Sequence, residues 1–182
     1  MHSQNQCLPE KVAMPNFIVN NQRKLISLLA LLLLFSLLFQ GCSKKSNVPT
    51  KSVLAAVISA YPDLPDIRIC HSDAAESDEY YLDKDLSLSL FGQNGEMPDF
   101  SAIEEFSLFI AKGQQIIEFA VFKSYTYAST QDIALMCQKR LETLKKNCPE
   151  CFGEIFTVGK YVIYTLLPDN QNAKKICRQM LS

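Results

Sequence analysis

Tryptophan is absent from this chain, and glycine is scarce at six of 182 residues. So little glycine excludes a collagen-like repeat and leaves no Gly-rich loop to cradle a phosphate. No G-x-S-x-G elbow occurs. Of the two histidines, only His71 lies beyond the leader described below. Nucleophilic hydrolysis is therefore short of a base. Neither sign of charge dominates, with 18 basic and 19 acidic residues, so no bias toward nucleic acid is visible. Acidic residues are plentiful, but glycosidase-type carboxylates need a cleft that the sequence does not display. No apolar run reaches the ~20 residues that a spanning helix needs.

One apolar run is present. Leu25 to Phe39 reads LISLLALLLLFSLLF, with Ser27 and Ser36 as its polar members. At 1.5 Å rise these fifteen residues span ~22 Å, short of a ~30 Å hydrocarbon core. Arg23 and Lys24 precede the run, and Gln40-Gly41-Cys42 ends it. A basic start, an apolar centre and a small residue at the exit make a signal peptide over residues 1–41. Met14 lies eleven residues before Leu25 and is an alternative start for a shorter leader.

The end of the run resembles the lipobox of bacterial lipoproteins. Gly41 and Cys42 match its last two positions, while Phe39 and Gln40 depart from the commoner residues. The resemblance implies cleavage before Cys42 and a diacylglyceryl thioether, palmitate-type chains included, on its sulfur. The mature protein then sits on the extracytoplasmic face of the cell membrane. The alternative, an uncleaved anchor, puts residues 43–182 in the same place.

Cleavage leaves 141 residues with 15 basic and 18 acidic side chains, net −3. That length suits one domain, burying ~68% of its unfolded surface. Residues 42–49 hold the lipidated Cys and a polar tether ending at Pro49. Seven residues reach at most ~25 Å, so the domain over 50–182 works close to the bilayer.

Periodicity gives the domain's elements. Thr50 reads as an N-cap, with Val53, Leu54, Val57, Ile58 and Tyr61 at helical spacing and Pro62 as the stop. Residues 63–85 hold eight acids against Arg68 and Lys84, net −6. They read as a solvated irregular segment around Ile67–Ile69; no alternating Asp loop for calcium is present. Leu86–Phe91 reads as a short helix before Gly92-Gln93-Asn94-Gly95, a turn. Phe106, Leu108 and Ile110 mark one strand, and Ile116–Phe122 a second, nearly all apolar and so central. Ser129 to Asp132 resembles a capping box opening a helix faced by Ile133, Met136, Cys137, Leu141 and Leu144. Ile155–Val158 and Tyr161–Leu167 form a hairpin over Gly159-Lys160, suited to a type II′ turn. Ala173, Ile176, Cys177, Met180 and Leu181 place a last helix on the core. The expected fold is α+β: a short helix, an acidic segment, then strand–strand–helix–strand–strand–helix, an antiparallel sheet covered by amphipathic helices.

The second half is similar to an uncharacterised domain family, a domain of unknown function, found on lipoproteins of Gram-positive bacteria. The residues that carry the likeness are Ser101-Ala102-Ile103, Glu118 through Lys123, Arg140-Leu141, and Gly159 through Val162. The resemblance implies an exported lipid-anchored domain and no activity, cofactor or substrate.

The remaining candidates are few. Cys70, Cys137, Cys148, Cys151 and Cys177 are an odd number, so one thiol stays unpaired in any internal scheme. Cys148-Pro149-Glu150-Cys151 has redox and metal spacing, but it follows a helix C-terminus, where the dipole opposes a thiolate. A zinc site needs two further ligands, with no second CxxC to supply them. The pair reads as structural thiols, a disulfide, a metal site or a redox pair, in that order. Glu118 is a charge inside the most apolar strand, and Arg140 lies near the buried face of the next helix, a candidate structural ion pair. Tyr125 and Tyr127 follow the central strand and offer rigid amphipathic contacts, or else cover the core edge. Two functions follow. The first is a non-catalytic binding module with Cys42 in the membrane and Tyr125 and Tyr127 toward a protein, wall component or small solute. The second is an exported thiol-dependent redox or metal protein using Cys148 and Cys151. The first requires no cofactor, metal or nucleic acid.

Overall fold

The computed structural model describes residues 47–182; the leader and Cys42 lie outside the described residues. Its elements run α1 (Thr50–Ser59), β1 (Ile67–His71), α2 (Lys84–Phe91), β2 (Ile103–Ala111), β3 (Glu118–Ser124), α3 (Thr130–Asn147), β4 (Glu154–Val158), β5 (Tyr161–Leu166) and α4 (Asn170–Leu181). The five strands form one antiparallel sheet in the order β1-β2-β3-β5-β4. The acidic segment thus contributes an edge strand around Ile67–Ile69, where the sequence pattern had set only a short apolar segment in a loop. Three apolar positions in five were too few to separate strand from loop. No described helix is long and apolar enough to cross a membrane.

Helices cover both faces of the sheet, which explains why β3 and β5 read as continuous apolar runs. On one face Leu108, Ala120, Phe122, Val162 and Tyr164 meet Leu90 and Phe91 of α2 and the five apolar residues of α3. On the other, Phe109, Phe119, Val121, Tyr161 and Ile163 meet Val53, Leu54 and Val57 of α1 and Ala173, Cys177 and Leu181 of α4. Successive residues of β3 therefore alternate between two dry cores. Each fully buried Phe or Ile adds roughly 1.5–3 kcal/mol relative to exposure.

Local signals set the joints. Asp83 caps α2 by accepting the Leu86 N–H at 2.8 Å, and Asn94 and Gly95 take φ of 51° and 82°, as a type I′ turn requires. At Gly159 φ is 59°, while Lys160 stays at negative φ, which fits the type II′ hairpin.

Two caps differ from the sequence reading. Thr50 is the first residue inside α1, with Pro49 ahead of it; its side chain is buried and turned to the sheet. Ser129 makes no side-chain cap to α3 and has helical backbone angles. Its own N–H donates to Thr126 Oγ1 at 3.1 Å, and the Thr130 hydroxyl donates back to the Tyr127 carbonyl at 2.6 Å. The helix is entered through a preceding turn, so the cap falls three residues early.

Candidate functional site

Antiparallel register brings several chain segments to one end of the sheet. His71 lies opposite Ser107, Ile103 opposite Ser124, and Lys123 opposite Tyr161, which also pairs with Val158. The ends of β1 and β3, the start of β2, and the β4–β5 turn therefore share that end. The chain also enters the fold there. Lys123 Nζ donates to Asn47 Oδ1 at 2.9 Å, and the Tyr161 hydroxyl donates to the Val48 carbonyl at 2.8 Å. Residues 47–49, read from sequence as the end of a flexible tether, are docked on the sheet.

Beside this entry point stands the loop after β3. Tyr125 and Tyr127 are 55% and 61% exposed. The backbone beneath them is held on every side. The Ser124 hydroxyl donates to the Thr126 carbonyl at 2.7 Å, the Thr126 and Ser129 hydroxyls lie 2.7 Å apart, and Tyr125 N–H donates to the Ala102 carbonyl at 3.3 Å. Lys160 Nζ reaches the Tyr125 carbonyl from the hairpin turn. The two rings are presented by a fixed loop, not folded onto the core.

A hydrogen-bonded chain runs behind the same end, and sequence reasoning missed it. His71 Nδ1 lies 2.9 Å from Ser107 Oγ, which lies 2.9 Å from Thr50 Oγ1. Glu105 Oε1 accepts both the Thr50 hydroxyl at 2.8 Å and the Thr50 N–H at 2.9 Å. The available signal was the polar alternation of Glu105 and Ser107 within β2. A Ser–His contact has hydrolase chemistry in it, but Ser107 is completely buried and no substrate reaches its oxygen. Burial, and then the Lys51 charge, hold the His71 imidazole below its ordinary pKa.

At the opposite end of β3, Glu118 and Arg140 meet. Arg140 Nε donates to Glu118 Oε2 at 3.2 Å and Nη2 to Oε1 at 2.5 Å. The Tyr164 hydroxyl donates to Glu118 Oε2 at 2.9 Å, and Arg140 Nη1 reaches the Ser89 carbonyl at 3.2 Å. Glu118 is only 7% exposed, and the three donors give each of its oxygens a partner. Burial works to lower the Arg140 pKa; hydrogen bonding to Glu118 reverses this and sets the net direction upward. Burial and the Glu118 charge both push the Tyr164 phenol up. The arrangement ties β3, α3 and β5 together through three polar side chains.

Cys148 and Cys151 form a disulfide just past the end of α3. Cys70, Cys137 and Cys177 are free and buried. Burial pushes all three thiols up, Cys177 to about 12, far from a nucleophilic thiolate. Among the described residues, no group of three or more His, Cys, Asp or Glu side chains converges to hold a metal.

No protein-family model, curated protein or solved structure matches this chain.

Proposed function

We propose that the protein is a lipid-anchored module on the extracytoplasmic face of the cell membrane that binds and does not catalyse. The observation that supports it most is the contrast between its polar groups. Glu118, Arg140 and Tyr164, at the sheet's far end, satisfy one another, while Tyr125 and Tyr127 stand exposed on a hydrogen-bonded loop. Rigid aromatic groups lose little entropy on contact and are favoured at interfaces. The Arg23–Cys42 leader pattern supplies the address. The Cys148–Cys151 disulfide suits an oxidising compartment outside the cytoplasm. Intact mass of the membrane-extracted protein tests the anchor. A diacylglyceryl adduct on Cys42, and release of the Cys42→Ala chain from membranes, are expected; an unmodified Cys42 in membrane-bound protein overturns it.

The disulfide also favours a second reading, an exported thiol oxidoreductase using Cys148 and Cys151. Against it stands their place after the C-terminus of α3, where the helix dipole disfavours the thiolate. Absence of dithiol exchange by the purified chain is expected; rapid exchange would move the function to this pair.

A further inference from the structure

The end of the sheet where the chain enters carries more than an attachment point. We infer that the Tyr125–Tyr127 loop, with the Lys160 turn beside it, rests in the headgroup layer of the bilayer. This deepens the lipid-anchored reading above and rests on it. Its partner is the lipid surface itself.

The argument begins with chain length. Asn47 and Val48 are fixed to Lys123 and Tyr161 at this end of the sheet. Cys42 precedes Asn47 by five residues, which span at most ~18 Å when fully extended. A lipid on Cys42 therefore holds this end against the membrane. Any group exposed here meets the surface repeatedly, at an effective concentration near millimolar. A contact too weak to be seen in solution is populated under those conditions.

The exposed groups are of the right kind. Tyrosine is enriched at membrane–water interfaces, where its ring sits among the headgroups and its hydroxyl stays wet. Tyr125 and Tyr127 are over half exposed, and their loop needs no ordering before it makes contact. Lys160 lies at the hairpin tip and Lys123 beneath it. Near an anionic surface each free cation adds ~1 kcal/mol, but Lys123 is paired with Glu104 and adds little. Asp132, in the first turn of α3, opposes the lysines. Glu105 is occupied by Thr50.

Charge also decides which side of this end goes down. The stretch after β1 carries Asp73, Glu76, Asp78 and Glu79, with Asp73 paired to Lys51. It leaves the sheet from the β1 edge, two strands from β3, or about 10 Å. Anionic headgroups repel that edge. The sheet end meets the bilayer on its tyrosine side.

The test uses the absence of tryptophan. Full-length chain, lipidated in a bacterial host, is reconstituted into vesicles of phosphatidylcholine and phosphatidylglycerol. It carries one indole reporter, either Tyr127→Trp in the loop or, at the far end, Phe152→Trp; Phe152 is 77% exposed. Lipids brominated high on their acyl chains should quench the loop reporter at least severalfold more than the far-end reporter. Emission from the loop reporter should also shift to the blue. Adding Tyr125→Ser and Lys160→Glu to Tyr127→Trp should remove most of the quenching. Equal and weak quenching of the two reporters on protein whose mass shows lipid on Cys42 overturns the headgroup contact and spares the anchor. A mass without lipid on the vesicle-bound protein overturns both.

Discussion

Arg140 is the side chain whose loss the fold should feel most sharply. Substituting Arg140→Ala removes two donors from Glu118 and leaves a buried carboxylate with Tyr164 alone. Breaking a buried pair by removing one partner costs about 3–5 kcal/mol. The described domain, residues 47–182, has an unfolding entropy of roughly 0.29 kcal/mol/K at ~2.1 cal/mol/K per residue. The melting temperature should therefore fall by roughly 10–17 °C. Calorimetry on the purified chain reads this directly. Removing both partners tests the cause. Glu118→Leu with Arg140→Met replaces the pair by apolar groups of similar length and should recover most of the loss, because no charge is left unpaired. Tyr164→Phe removes one donor to a charged acceptor and should cost about 1.5–3 kcal/mol. An Arg140→Ala protein melting within ~2 °C of wild type refutes the reasoning. So does a double variant as unstable as the single one, which would make the loss one of packing.

Three further outcomes follow from named contacts. His71 titrates below its ordinary value when folded, so the native state holds fewer protons than the unfolded chain in the window just under about 6.5. Its contribution to stability is present above that pH and is lost as pH falls through the depressed value; the His71→Gln chain should show a shallower loss by urea titration between neutral and mildly acidic pH. Reducing Cys148–Cys151, or replacing both by Ser, opens a loop of only four residues. It should lower stability by no more than about 2 kcal/mol on chain-entropy grounds, without changing membrane attachment in a fractionation assay. At Gly92 a Cβ would stand 2.4 Å from the Leu88 carbonyl oxygen, so Gly92→Ala should shift the α2 end and lower the melting temperature by several degrees. Gly95→Ala meets no neighbour, and its cost should come only from its positive φ.

The parts of this fold that were legible in the sequence are those where one physical signal dominates. The five apolar residues of α3 recur at helical spacing, and the same five are buried. The run from Phe119 to Phe122 alternates between two cores, so it reads as apolar throughout, and that continuity marked it as central. The Glu118–Arg140 contact was suggested by cost alone, because a charge in such a strand needs a partner. What escaped depends on register, which no local pattern carries. Thr50 looked like a cap because Thr before an apolar helix usually is one; its hydroxyl serves Glu105 and Ser107, more than fifty residues away. The β1 edge strand was hidden in a segment whose charge pointed to solvent. Tyr125 and Tyr127 were visible as residues, but their exposure depends on the Thr126–Ser129 turn that replaced the expected cap.

The two ends of β3 carry different tasks, and their separation makes the proposals testable apart. Glu118 and Lys123 lie five residues apart along one strand, about 17 Å at roughly 3.3 Å per residue. Substitutions beyond 7–10 Å that share no partner add to within a few tenths of a kcal/mol. Glu118, Arg140 and Tyr164 share no hydrogen bond with Asn47, Tyr125, Lys123 or Lys160. Arg140→Ala, added to the Tyr127→Trp chain and kept well below its lowered melting temperature, should therefore leave the lipid quenching of the loop reporter unchanged. Conversely, Tyr125→Ser with Lys160→Glu should remove the quenching and lower the melting temperature by only a few degrees, since Tyr125 is exposed and Lys160 gives up one hydrogen bond, to the Tyr125 carbonyl. If Arg140→Ala abolishes the quenching while the chain remains folded by circular dichroism, the two ends are coupled through the sheet. The loop would then be ordered by the whole domain and not by the Ser124, Thr126, Ser129 and Lys160 contacts around it.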